Sequence, residues 1–151
     1  MSKTSGADFA TVAEVRDSCL CLFAQRAARR LARRFDLALK PAGLTNGQFS
    51  LLMSLNRPQP PVLSSVAELL GMDRTTVTAA LKPLERRGLV EVRPDAADRR
   101  SRRLVLTDEG RATLDQALPI WRRTHAAVEA ELAAAVEPAR LRQGLNILAG
   151  F

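Results

Sequence analysis

The sequence is poor in the residues that build metal, disulfide and many catalytic sites. Its 151 residues include no Tyr, one His, one Trp and two Cys. We therefore expect neither a His- or Cys-rich metal centre within one chain nor a secreted module stapled by disulfides. Catalysis needs a nucleophile, a base and a stabilising group that converge. With one His and no phosphate-cradling glycine loop, the chain is not expected to be an enzyme or to carry a cofactor.

Long apolar runs are lacking as well. No segment approaches the ~18 consecutive apolar residues of a membrane span. The N-terminal residues MSKTSGAD contain no apolar core of the kind that signal peptides have. The hydrophobic fraction of 46% is ordinary for a globular protein of this length. These features predict a folded protein of the reducing cytoplasm.

Arginine is what the sequence has in excess. Lys and Arg number 23 against 16 acids, which leaves a net charge of +7, and 20 of the 23 bases are Arg. Because the guanidinium fork pairs phosphates in a bidentate manner, this composition favours a polyanionic partner. The excess lies in residues 16–40 and 74–103, which carry +5 each. For residues 16–40 a solvated helix face is the ordinary interpretation, and a basic helix on an anionic membrane is an alternative.

Apolar periodicity predicts a mainly helical chain. Leu20, Phe23, Ala27, Leu31 and Phe35 recur at steps of three and four, which predicts one helix over 9–40 that is longer than a small domain can bury. Further helices are predicted over 46–56, 65–70, 74–87, 108–135 and 138–148. Thr45 with Gln48, and Ser65 with Glu68, have the spacing of capping boxes.

Residues 64–106 have the order helix, turn, helix and hairpin, which defines a winged helix-turn-helix. In the helix over 74–87, Val77, Leu81 and Leu84 must face inward. The opposite face then carries side chains that fit a major groove: Arg74, Thr75, Thr78, Ala79 and Lys82. Segments 89–92 and 103–106 predict the hairpin, whose tip, DRRSRR, holds four Arg within five residues. One of them could enter a minor groove.

The stretch SSVAELLGMDRTTVTAALKPLERRGLVEVRPDAADRRSRRLVLTDEGR resembles the core of the MarR (multiple antibiotic resistance regulator) family. LGMDRTTVT, LERRGLV, DRRSR and LTDEG carry the likeness. The resemblance implies a mainly α fold with a small β-hairpin wing. Residues 45–106 would form the winged helix-turn-helix, flanked by dimerisation helices in 1–44 and 107–151. It also implies a cytoplasmic homodimer that binds a palindromic double-stranded DNA operator as a repressor.

The resemblance assigns roles to individual residues as well. Thr75, Thr76, Thr78 and Lys82 match the recognition helix, and Asp98 and Arg100 match a wing pair in which Arg100 enters the minor groove. Together with the basic residues of the two elements, the predicted DNA-binding set is Arg74, Thr75, Thr76, Thr78, Lys82, Asp98, Arg99, Arg100 and Arg102. An RNA-binding or protein-adaptor winged helix is the alternative of another class.

The signal that such a protein would sense stays open. Members of the family respond to small phenolic or carboxylate ligands or to oxidants, and the ligand candidates by position are Phe49, Met53, Trp121 and His125. The segment LCLF around Cys21 is similar to one that holds a peroxide-sensing thiol, which predicts Cys21 as an alternative sensor. The Tyr side chains that activate such a thiol are missing, and an unassisted thiol with a pKa near ~8.5 reacts slowly. Cys19 and Cys21 point ~200° apart on a helix, so they cannot share an ion or bond to each other without unwinding.

Overall fold

The computed structural model describes residues 9–151 and divides into two compact units between Arg34 and Phe35. The first unit contains helix α1 (Phe9–Ser18) and the first part of α2 (Leu20–Leu39). The single helix predicted over 9–40 is therefore wrong in one detail, because it is interrupted at Cys19. The interruption is slight, since the Cys19 amide still donates to Val15 O at 3.0 Å. Just before it, the Ser18 hydroxyl donates to the Glu14 carbonyl, a side-chain bond that competes with the helical pattern.

The second unit contains the remaining elements. They are α3 (Asn46–Leu55), α4 (Leu63–Leu70), α5 (Arg74–Arg86), β1 (Val90–Pro94), β2 (Arg102–Leu106), α6 (Asp108–Ala133) and α7 (Pro138–Ala149). The two strands pair antiparallel, from Val90 opposite Leu106 to Pro94 opposite Arg102. This order confirms the predicted winged helix-turn-helix and the mainly α fold with one hairpin.

The two predicted capping boxes have different outcomes. Thr45 Oγ1 accepts from the Gln48 amide at 3.2 Å, and Gln48 Oε1 accepts from the Thr45 amide at 3.1 Å, so the first box is present. The second is wrong, because α4 already begins at Leu63 and the Ser65 hydroxyl donates to Val62 O at 2.9 Å. Val62 is held extended by an antiparallel bridge to Arg103, and the helix starts directly after it.

The core of the second unit lies between α3, α4, α5, the hairpin and the start of α6. Its largest fully buried side chains are Leu39, Leu52, Leu55, Val66, Val77, Leu84 and Leu104. As predicted, Val77, Leu81 and Leu84 are the buried residues of α5. Because a helix has a fixed period of 3.6 residues, this packing turns the opposite face of α5 toward solvent.

Several apolar side chains in the described part of the chain are exposed to solvent. Neither α1 nor α7 contributes a buried residue. In α7, Ile147 and Leu148 are 69% and 66% exposed, and in α2 Leu20 is 69% exposed. Over residues 9–151 no helix combines the length and the hydropathy that crossing a membrane requires.

Candidate nucleic-acid interface

Helix α5 begins with a strong local cap. The Asp73 carboxylate accepts from the Thr76 amide at 2.8 Å and from the Thr76 hydroxyl at 2.7 Å. These bonds favour the ionised form and hold the pKa of Asp73 below its ordinary value, the Thr76 hydroxyl being the larger cause. The cap is therefore fully formed above the ordinary carboxyl pKa and is lost only as the pH falls through the lowered value.

The cap also limits what Thr76 can do, because its hydroxyl proton is already donated to Asp73. Its predicted contact with DNA would have to use the hydroxyl oxygen as an acceptor, the methyl group or the backbone. Thr78 donates its hydroxyl proton to the Arg74 carbonyl at 2.8 Å. The oxygen lone pairs and the methyl group of Thr78 remain for a partner.

The outward face of α5 lies where the sequence predicted it. The predicted groove-facing side chains are all exposed: Arg74, Thr75, Thr78, Ala79 and Lys82. Thr76, which the resemblance added, is exposed as well. Apart from the Thr76 and Thr78 bonds, they make no side-chain hydrogen bond or ion pair with any residue of 9–151. A helix of ~10 Å diameter with such a face fits the width of a B-DNA major groove. Whether each residue contacts a base stays a prediction.

The tip of the hairpin is a hydrogen-bonded turn. Asp98 Oδ1 accepts from the Arg100 amide at 3.0 Å, and Asp98 O accepts from the Ser101 amide at 2.9 Å. The carboxylate of Asp98 thus holds the backbone of Arg100. Within the described structure the exposed side chains of Arg99, Arg100 and Arg102 have no acidic or hydrogen-bonding partner. The arrangement leaves three guanidinium groups at the tip for an anion.

Arg103 has a different role, which the sequence did not reveal. Its Nη1 donates to Pro60 O at 2.8 Å and its Nη2 lies 3.4 Å from Asp95 Oδ2. The backbone of the same residue bridges to Val62. Arg103 therefore ties the base of the wing to the proline-rich loop before α4. No local signal could have identified it, because Pro60 is 43 residues away in sequence.

A cavity of about 370 Å³ lies between α3, α4 and α6, a size within the range of small-molecule sites. Its walls are mostly apolar and include Phe49, Met53, Leu69, Leu70, Leu118 and Trp121. The rings of Phe49 and Trp121 stack with centroids 6.0 Å apart. The structure thus brings three of the four predicted ligand candidates together, and it adds three leucines that the sequence analysis missed.

His125 lies behind this cavity, not in its wall. Its ring stacks on Trp121 with centroids 4.6 Å apart, and its Nε2 lies 3.9 Å from Glu129 Oε1. Glu129 in turn pairs with Arg142 of α7. His125 can therefore support the position of Trp121, whereas direct contact with a ligand stays a prediction.

The two thiols are both free. Cys19 is half-buried and Cys21 is exposed, and Gln25 Nε2 donates to Cys21 Sγ at 3.1 Å. Peroxide sensing by Cys21 stays a prediction.

No group of three or more His, Cys, Asp or Glu among residues 9–151 is placed to hold a metal ion.

Comparison with known proteins relates the winged part of the chain to one family. Residues 44–101 match the sequence profile of the MarR family. The transcriptional regulator MosR of M. tuberculosis, solved in complex with DNA, is 40% identical, with a TM-score of 0.76 over 88% of this chain and 95% of that one. The repressor CouR, bound to a 23-mer DNA duplex, is 33% identical, with a TM-score of 0.70 over 91% and 94%.

A third solved relative has a small-molecule effector. BpsR of Bordetella bronchiseptica, whose DNA binding is regulated by 6-hydroxynicotinic acid, is 26% identical, with a TM-score of 0.70 over 85% of this chain and 89% of that one. The curated relatives that the chain matches are transcriptional regulators, 25–37% identical over 79–91 residues. The chain spans only 50–62% of their length.

Proposed function

The chain belongs to the MarR family, and from that premise we propose that it is a homodimeric, sequence-specific DNA-binding repressor of the cytoplasm. The observation that carries the proposal is that the second unit presents two exposed surfaces suited to DNA. The outward face of α5 bears small polar and basic side chains from Arg74 to Lys82, with its one acid, Glu85, in the last turn, and the wing tip holds three unpaired arginines. A helix of this kind can read base edges, while an arginine on a hairpin can enter a minor groove.

The exposed apolar side chains support a second copy of the chain as partner. Apolar surface left in water costs roughly 25 cal/mol per Å² compared with buried surface. Leu145, Ile147 and Leu148 of α7 leave such surface open. A twofold dimer covers the same patch on both copies at once. It also sets two recognition helices one duplex turn apart.

Selection of duplexes from a random DNA pool tests the DNA-binding proposal. We expect a palindrome whose half-sites are centred about 10 base pairs apart, because two recognition helices related by a twofold enter successive major grooves. Binding of the selected duplex is then measured by fluorescence anisotropy against structured RNA as competitor. A pool that is not enriched, or RNA that competes as well as the duplex, would overturn the proposal.

The cavity between α3, α4 and α6 is proposed to take a small aromatic carboxylate that releases the DNA. Its aromatic and leucine walls suit a ring, and the effector of the relative BpsR is an aromatic acid. The cavity also touches the end of α4, where Leu69 and Leu70 lie two turn residues before the cap of α5. A ligand bound there can displace the end of α4 and thereby shift the recognition helix α5.

Aromatic acids should change the emission of Trp121 and release the duplex. Both titrations should have their midpoint at the same concentration of the acid. Trp121 is the only tryptophan, so its fluorescence reports the cavity directly. The Ser50→Phe variant fills the cavity and should raise that midpoint by about tenfold or more. Its affinity for DNA without ligand should stay within about threefold of the parent.

The exposed Ser64 on α4 supplies the matched control, since it does not line the cavity. Ser64→Phe should respond to the acids as the parent does. If no aromatic acid of a panel of benzoates and pyridine carboxylates changes Trp121 emission, the cavity is not the effector site. An equal response of the Ser50→Phe variant would argue against it in the same way.

A further inference from the structure

Helix α2 presents a face of arginines that the recognition helix and wing do not involve. Arg26, Arg29, Arg30 and Arg33 follow one another at steps of three, one and three residues, which sets them within one sector of about 100°. They line an open groove of about 580 Å³ together with Phe23 and Ala27. At 1.5 Å per residue the sector is about 10 Å long.

Nothing in the described part of the chain neutralises this face. Residues 18–35 contain no acid, and none of the four arginines forms an ion pair with any residue of 9–151. Their contacts are neutral: Arg29 donates to Gln25 Oε1 at 2.9 Å, and Arg26 lies 5.9 Å from the Phe23 ring centroid.

The acids that flank the face in sequence are engaged elsewhere. Asp17 pairs with Arg16 at 2.6 Å, and Asp36 Oδ1 accepts from the Asn46 amide at 2.7 Å. Like charges four residues apart on a helix repel each other. A face of this kind is stabilised when an external polyanion neutralises it.

The arginine face borders the apolar stripe of the same helix, and Phe23 and Ala27 lie where the two meet. Leu20, Phe23 and Leu31 are exposed members of a stripe that leads at steps of three and four into Phe35 and Leu39, which are buried. A stripe continuous with core residues suits a protein partner better than lipid. A second copy of the chain that covers the stripe would still leave Arg29 and Arg33 open, because they lie farthest from Phe23 around the helix.

We propose that the arginine face of α2 binds the phosphodiester backbone of the same duplex as the winged helix, as a second contact that does not read sequence. The proposal rests on the proposed function, because it takes duplex DNA as the ligand. Charge complementarity supports it: B-DNA carries one charge per about 1.7 Å, so about 10 Å of duplex offers about six phosphates. Guanidinium groups bind such oxygens in a bidentate manner.

The salt dependence of DNA affinity tests the proposal. The variant R26Q/R30Q/R33Q should lower the slope of log K against log salt by about 5, because a dimer loses six phosphate contacts and each contributes about 0.9. Affinity should fall by about a thousandfold or more at 50 mM salt and converge with the parent near 300 mM. Arg29 is kept because it bonds Gln25, and R26K/R30K/R33K should retain most of the slope because the charge is retained.

A matched control removes the same charge elsewhere. Arg122, Arg123 and Arg140 are exposed on α6 and α7, and R122Q/R123Q/R140Q should change the slope by less than about 0.5. Size-exclusion chromatography with light scattering confirms that each variant keeps the oligomeric state and fold of the parent.

An unchanged slope in R26Q/R30Q/R33Q, or an equal change in the control, would overturn this inference. Loss of binding to phosphatidylserine vesicles without a change in the DNA slope would overturn it too, in favour of a membrane face. If the parent binds and selects a palindrome, these results leave the proposed function standing. A parent that binds no duplex would refute both proposals.

Discussion

Gly110→Ala is expected to lower the free energy of unfolding by about 3 kcal/mol, the upper end of the usual cost of overpacking. Gly110 is buried in the first turn of α6, where its amide donates to Thr107 Oγ1 at 3.0 Å. A Cβ at this position would lie 2.2 Å from Leu89 O and 2.8 Å from Leu106 Cδ1. Leu89 O cannot move freely, because it accepts from the Thr107 amide at 3.2 Å. The side chain would therefore force α6 away from the end of the wing.

Chemical denaturation of Gly110→Ala and Gly144→Ala separates this clash from ordinary helix propensity. Gly144 lies inside α7, and a Cβ there meets nothing within 4 Å. Replacing a helical Gly by Ala in open space gains about 0.5–1 kcal/mol. We therefore expect Gly110→Ala to lower the free energy of unfolding and Gly144→Ala to raise it. Similar stabilities of the two variants would contradict the packing of α6 on Leu89.

Arg100→Ala is expected to weaken binding of the selected duplex by about 30-fold or more, because a dimer loses two base-proximal contacts of at least about 1 kcal/mol each. Asp98 holds the Arg100 amide at 3.0 Å, so the residue sits on an ordered turn with its side chain exposed. An arginine presented in this way fits a narrow minor groove, where the potential is most negative.

Fluorescence anisotropy at matched salt measures the loss, and Arg122→Ala controls for the change in net charge. Arg122 is exposed on α6, and its removal should weaken binding by less than about threefold. Light scattering checks that both variants have the oligomeric state of the parent. Undiminished affinity of Arg100→Ala would refute the wing assignment. An equal loss of affinity in Arg122→Ala would mean that the effect comes from the change in net charge alone.

Local patterns accounted for much of the fold. The spacing of Val77, Leu81 and Leu84 predicted the buried face of α5, and the structure buries all three. The Thr45 capping box is present as its spacing predicted. Each of these depends on residues at most seven positions apart, so the sequence contains the whole interaction.

The failures occur where a local rule competes with a distant partner. Ser65 has the spacing of a capping residue, but the bridge between Val62 and Arg103 places the helix start at Leu63. Arg103 belongs to an arginine-rich tip by composition, yet Pro60 O and Asp95 hold it as an anchor of the wing.

The sequence by itself determined most of the helices and the hairpin, which face of α5 packs inward and where the positive charge lies, because these follow from helix periodicity and from composition. The tertiary structure alone decided which exposed residues share a site. It brings Phe49 and Trp121, 72 positions apart in sequence, into ring contact, and it packs Gly110 against Leu89. It also bonds Arg103 to Pro60 O, whereas the other arginines of the wing tip have no partner among the described residues. These contacts depend on how helices and strands pack in three dimensions, and side-chain spacing along one element contains no information about that packing.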